Sequence, residues 1–245
     1  MTDPACSRLE LLVGPEGLAR LRAASVAVFG LGGVGSFAVE ALARGGIGRL
    51  TLIDFDNVAA SNLNRQLHAL QRTLGRPKAE VLAERCREIN PQIAVEAIHR
   101  CYDADTSDEL LAGDYDFVLD CIDQVTAKLH LIESCHHRNI PFIASMGAAN
   151  KIDPGQVRYS DLFATQKCRL ARIVRKELRR RGITSGVNVV YSTEEFRPLA
   201  AGRRCEESGG THYQERRAPL GSSSVIPPLF GLTMAGEAIR SLLGE

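Results

Sequence analysis

An arginine, a lysine and a carboxylate stand where strand-like runs of this chain give out. Arg65 lies in Ser61-Asn62-Leu63-Asn64-Arg65-Gln66, Lys78 follows Pro77, and Asp123 closes Asp120-Cys121-Ile122-Asp123. Ahead of them comes Gly30-Leu31-Gly32-Gly33-Val34-Gly35. Glycines at that spacing let the backbone turn tightly and approach phosphate oxygens at a helix amino end. Gly30, Gly32, Gly33 and Gly35 therefore read as a nucleotide loop. Asp54, at the end of the next strand, suits ribose hydroxyls. These features alone fit NAD as well as ATP.

The remaining residues favour ATP. Arg65 offers a planar fork for bidentate phosphate contact, and Lys78 a compact point charge. Asn62 and Asn64 add neutral donors, and Asp56 a second carboxylate beside Asp54. Lys78 falls in the first turn of a helix, where a cation is unfavourable by about 0.3–1 kcal/mol. Such a lysine makes sense if an anion comes to meet it. Asp123, between a strand and a helix, can hold Mg²⁺ against phosphates or cap the helix, and one role does not exclude the other. A triphosphate, a magnesium ion and charge development at the α-phosphate amount to adenylation chemistry.

The elements that must position these groups alternate through the first 150 residues. Strands are expected at Val26–Phe29, Arg49–Asp54, Ala94–Ile98, Phe117–Asp120 and Pro141–Ser145, and helices at Gly35–Arg44, Lys78–Ile89 and Val125–Arg138. This order predicts an α/β fold with a doubly wound, mostly parallel, Rossmann-like sheet and a crevice at the strand carboxyl ends. Residues 1–23 read as a helical arm and 24–147 as the ATP-binding core. Residues 148–245 read as a carboxy-terminal elaboration of the same domain, with strands at Val157–Tyr159 and Asn188–Tyr191. Arg197–Ser224 is polar and glycine-rich and reads as a mobile loop before a packed closing helix.

Charge divides along the same line. Residues 1–150 carry a net −5 and residues 151–245 a net +6, although the whole chain is only +1. The basic excess centres on Lys167, Arg169, Arg172, Arg175, Lys176, Arg179, Arg180 and Arg181. Spread around more than one helical face, these suit a curved phosphate backbone, and the bland alternative is a solvated face. Seven cysteines without a Cys-x-x-Cys pair read as reduced thiols of a cytoplasmic protein. The amino terminus lacks the layout of a signal peptide, and the apolar stretch Val225–Leu243 is too interrupted for a membrane span.

The run Gly30–Gly35, Asp54-Phe55-Asp56, Ser61–Gln66, Lys78 and Asp120–Asp123 closely resembles the ubiquitin-activating-enzyme-like superfamily of ATP-dependent adenylating enzymes. The resemblance implies ATP and magnesium positions at Gly33, Asp54, Asn62, Arg65, Lys78 and Asp123, with a homodimer as the assembly. Arg8 resembles the arginine that members lend to the neighbouring subunit's site, without the aromatic-containing motif that usually precedes it. Gly147-Ala148-Ala149, Lys151-Ile152-Asp153-Pro154, Ser160-Asp161-Leu162, the basic segment and Val190–Glu194 resemble the tRNA threonylcarbamoyladenosine dehydratases. That likeness implies tRNA as substrate, with a sulfur-relay protein as a further partner.

Three alternatives remain at this stage. One is adenylation of a ubiquitin-like sulfur carrier, opposed by the missing Cys-x-x-Cys pairs; here Cys205, flanked by Arg203, Arg204, Glu206 and Glu207, reads as a spectator. The others are an NAD-dependent oxidoreductase, opposed by Arg65, Lys78 and Asp123, and a non-catalytic nucleotide-binding scaffold.

Overall fold

Valine- and isoleucine-rich runs alternating with amphipathic ones fold, in the computed structural model, into a seven-stranded sheet flanked by helices. The structure describes residues 6–197 and 220–245. In chain order the main elements are α1 (Ser7–Ala23), β1 (Ser25–Phe29), α2 (Gly35–Arg44), β2 (Arg49–Ile53), α3 (Lys78–Ile89) and β3 (Ala94–Ile98). Then follow α4 (Ser107–Leu110), β4 (Phe117–Asp120), α5 (Val125–His137), β5 (Phe142–Ser145), β6 (Val157–Asp161), α6 (Arg169–Arg180), β7 (Asn188–Ser192) and α7 (Ile226–Leu243). The strand order is β3-β2-β1-β4-β5-β7-β6. Every pairing is parallel except that of edge strand β6, which runs antiparallel to β7. The order reverses between β1 and β4, so the crevice opens at the carboxyl ends of those two strands.

Both faces of the sheet are covered, which is why β1 has no polar alternation. Val26 and Val28 point into a core with Val39 and Leu42 of α2, Leu82 of α3, and Phe230 and Met234 of α7. Ala27 and Phe29 point the other way, onto Leu131 and Ile132 of α5 and Val174 and Leu178 of α6. The one-turn α4 was not anticipated; four residues are too few to show a helical period.

The carboxy-terminal residues build on the same sheet. They add β6 and β7 at one edge and return α7 across α2. A Cβ at Gly231 would overlap the Val34 carbonyl oxygen, so the two helices meet backbone to backbone. Among the described residues no helix is long and apolar enough to cross a membrane. Most of Arg197–Ser224, including Cys205, lies outside the described residues.

Candidate active site

The glycine loop leaves β1 at the switch point. The Gly30 amide donates to the Ile53 carbonyl at 2.9 Å, and the Cys121 amide donates to Phe29 at 2.8 Å. Gly30 has φ +86°, and a Cβ there would stand 2.9 Å from the Cys121 carbonyl carbon. Only glycine fits such a left-handed, crowded position. A Cβ at Gly35 would overlap the Gly30 carbonyl oxygen, and one at Gly33 would come within 2.9 Å of Pro227 Cβ. Gly32 is the open side; the nearest atom to a Cβ there is Gln66 Nε2, at 3.8 Å. The result is a backbone cradle at the amino end of α2, suited to a phosphate chain.

Asp54, at the mouth of β2, is buried and already engaged. It accepts from the Leu31 amide at 2.6 Å and the Asp56 amide at 2.8 Å. Burial pushes its carboxyl above the usual carboxylate range, and the positive charge of Lys78 opposes that rise. Lys78 Nζ pairs with Asp56 Oδ2 at 2.8 Å, with only 6% of the lysine side chain exposed. Asp56 supplies the counter-charge, and an incoming phosphate would compete with it.

The Ser61–Gln66 run is a tight turn with its polar atoms partly turned inward. Asn62 Oδ1 accepts from the Ala59 amide at 3.1 Å, a turn-closing role. Arg65 donates to the Ser61 carbonyl at 2.7 Å and to Asn64 Oδ1 at 3.0 Å. Its Cγ is 3.4 Å from the Cβ position of Gly33, so the arginine adjoins the loop. Asn64 Nδ2 donates to the Ser222 carbonyl at 3.0 Å, tying the turn to the segment entering α7.

Two residues here were not singled out from sequence. Gln66 is buried, its amide borders Gly32, and its Oε1 has no hydrogen-bond partner. His68 is buried with neither ring nitrogen partnered. Burial and the charge of Lys78 together hold the His68 imidazole neutral, its pKa lowered to about 3. The only sequence signal was position: Gln66 ends the polar run around Arg65, and His68 follows two residues later.

At the end of β4, Asp120 is fully buried and paired with Lys128 at 2.7 Å. Its other oxygen accepts from the Ile122 amide at 3.0 Å. Asp123 follows this turn with its side chain exposed, and Gln124 rather than Asp123 is the cap residue of α5. Mg²⁺ usually takes one or two protein carboxylates and completes its shell with phosphate oxygens and water. Among the described residues no group of three or more His, Cys, Asp or Glu forms a protein cage. Asp123 fits the smaller share such an ion asks of the protein.

The chain that builds this glycine loop at the switch point of its sheet matches a known family. The ThiF family model aligns with residues 6–245. The chain belongs to the ThiF family. Among its relatives is the tRNA threonylcarbamoyladenosine dehydratase of Bacillus subtilis, 42% identical over 98% of this chain and 94% of the relative. The molybdopterin-synthase adenylyltransferase of Salmonella typhimurium is 41% identical over 62% of this chain and 60% of that protein. A crystal structure of the Escherichia coli tRNA N6-threonylcarbamoyladenosine dehydratase with ATP superposes with a TM-score of 0.85. It is 35% identical over 96% of this chain and 92% of that one.

In this ThiF-family chain Arg8 lies away from its own crevice. Its neighbour Leu9 reaches to 3.4 Å of the Cβ position of Gly46, which leads into the amino end of β2. That is the end of the sheet opposite the nucleotide loop. The basic segment is also less uniform than its sequence suggests. Arg175 turns inward, donating to the Thr165 carbonyl and to Thr165 Oγ1, both at 2.8 Å. Arg180 pairs with Glu177 and Arg181 with Glu133. Arg169 stacks on Phe196 at 4.1 Å, Arg179 lies 5.5 Å from the Phe163 ring, and Lys167 approaches Glu195 at 3.9 Å. Arg172 and Lys176, one helical turn apart, stand exposed on the face away from buried Val174 and Leu178.

Proposed function

We propose that this chain is an ATP-dependent tRNA threonylcarbamoyladenosine dehydratase that works through adenylation. The observation that carries this reading is the extent of likeness: the dehydratase of Bacillus subtilis matches 98% of the chain, whereas the adenylyltransferase match covers 62%. The nucleotide half is common ground between the two activities, and the second half separates them.

The chemistry needs little beyond the groups described. The threonylcarbamoyl carboxylate is a poor electrophile. Its oxygen attacks the α-phosphorus of ATP and pyrophosphate leaves, giving an acyl-adenylate. The carbamoyl group of the same modification then closes on the activated carbonyl and AMP departs, so the net change on tRNA is loss of water. Because the nucleophile belongs to the substrate, proximity replaces a catalytic thiol. The amides of Gly30–Gly35 cradle phosphates, and Asp54 faces the ribose. Arg65 and Lys78 neutralise charge on the departing pyrophosphate. Asp123 would hold Mg²⁺, which when bound supplies Lewis-acid stabilisation of the phosphates.

The same reading makes the enzyme a cytoplasmic homodimer in which Arg8 serves the partner's site. The exposed cations of α6 would meet tRNA phosphates, and a sulfur-relay protein is a further partner. Mass analysis of tRNA nucleosides after incubation with ATP and magnesium tests the central claim. Threonylcarbamoyladenosine should lose the mass of one water, with AMP and pyrophosphate formed in step. An unchanged nucleoside, with adenylation instead of a small carrier protein's carboxyl terminus, would favour the adenylyltransferase reading.

A further inference from the structure

The buried Asp120–Lys128 pair has no part in the chemistry proposed for the nucleotide site. Lys128 sits in the first turn of α5, where the helix dipole disfavours a cation, and is fully buried, where an ammonium loses its hydration. Apolar side chains of similar volume commonly replace such a pair without loss of stability. Packing alone therefore does not account for it.

What the pair touches does. Asp120 is the last residue of β4, in register with Phe29 of β1 and Ala144 of β5. Its Oδ2 is held by Lys128 Nζ at 2.7 Å, and its Oδ1 receives the Ile122 amide at 3.0 Å. The carboxylate is thus fixed at both oxygens and shapes the turn after the strand. One side of that turn presses on the glycine loop: a Cβ at Gly30 would lie 2.9 Å from the Cys121 carbonyl carbon and 3.0 Å from the Ile122 nitrogen. The far end of the turn is Asp123.

We propose that Lys128 is a positioning residue for the phosphate end of the site. By clamping Asp120 it sets the Cys121–Asp123 turn, which buttresses Gly30 on one side and aims Asp123 on the other. The proposal rests on the assignment of Asp123 to magnesium. It makes the turn a preformed feature of the protein rather than one ordered by nucleotide.

Lys128→Met alone would strand a buried carboxylate and endanger folding. The informative variant is Asp120→Asn with Lys128→Met, which removes both charges and keeps a side-chain oxygen for Ile122. In calorimetric titrations its magnesium requirement for ATP binding should rise about tenfold to a hundredfold, as expected when support behind a metal ligand is removed. ATP binding in the presence of chelator should weaken by a smaller factor, because the support behind Gly30 is loosened as well. Amide exchange at Ile122 and Asp123 should accelerate. A folded double variant with parental magnesium requirement and parental exchange would overturn the proposal. Asp123→Ala in the parent background tests the metal assignment separately. If it leaves the magnesium requirement unchanged, that assignment falls, and exchange at Ile122 alone decides the clamp. Should the double variant not fold, the parent decides. Without nucleotide its Ile122 amide should be as protected as those of β4, and exchange at the rate of an open loop would overturn the proposal.

Discussion

Arg65 and Lys78 carry the same formal charge toward the same crevice, yet their surroundings predict different mutants. Among the described residues the Arg65 head bonds only its own turn, so Arg65→Ala should leave thermal stability near the parent's. It should lower turnover about a hundredfold to a thousandfold, the usual consequence of losing one donor to developing charge. Lys78→Ala should lose as much turnover and, in addition, about 1–3 kcal/mol of stability, because Asp56 would remain half-buried without its partner. Parallel kinetics and denaturant melts separate the two. His68 gives a pH prediction. Its folded pKa, about 3, lies below the ordinary 6.5, so the unfolded chain binds the proton more readily. The stability of holding it neutral is fully present above pH 6.5 and drains as pH falls toward 3, by at most about 1.4 kcal/mol per pH unit. His68→Leu should flatten the stability profile in that window.

At the scale of elements, α6 decides how the basic segment can act. A helix with Ala171, Val174 and Leu178 buried cannot present all its cations outward, whatever its net charge. Arg175 falls at the margin of the buried stripe and is used to tie down the Leu162–Thr165 turn. Arg172→Glu with Lys176→Glu should therefore weaken tRNA binding across tRNA sequences and leave ATP binding unchanged. The log–log salt slope should shrink by about 0.7–0.9 for each phosphate that is no longer neutralised. Arg175→Glu should instead melt earlier, with a stability loss of about 1–3 kcal/mol. Salt-dependent binding isotherms and melting curves on the two variants check both halves. Unaltered tRNA affinity in the first would reduce the exposed face to a solvated surface.

For the whole molecule the question is which chain completes which site. Arg8 stands at the end of the sheet opposite the crevice, so it can serve catalysis only in a neighbouring subunit. On the homodimer proposed above, Arg8→Ala and Lys78→Ala should each be nearly inactive alone. After mixing and exchange of subunits, a heterodimer has one site with both residues intact, so activity should return to about a quarter of the parental value for a two-fold assembly. Mixtures no more active than their components would place Arg8 outside the site.

Much of this protein is legible locally. The bounds of α2, α3, β3 and β4 follow from hydrophobic period, Pro77 and Asn90-Pro91, because these signals act within about ten residues of chain. The glycine spacing likewise announces the tight, crowded loop at the end of β1, since a short loop must carry its own backbone freedom. The meeting of charges is another matter. Asp56 neutralises Lys78 across 22 residues, Asp120 and Lys128 are brought together with β4 and α5 packed around them, and Arg175 turns toward Thr165. Pro227 closes on Gly33 from the far end of the chain. Composition lists the charges, but their partners depend on strand order and helix docking. Those are set by burial over the whole sheet, and only the tertiary structure decides them.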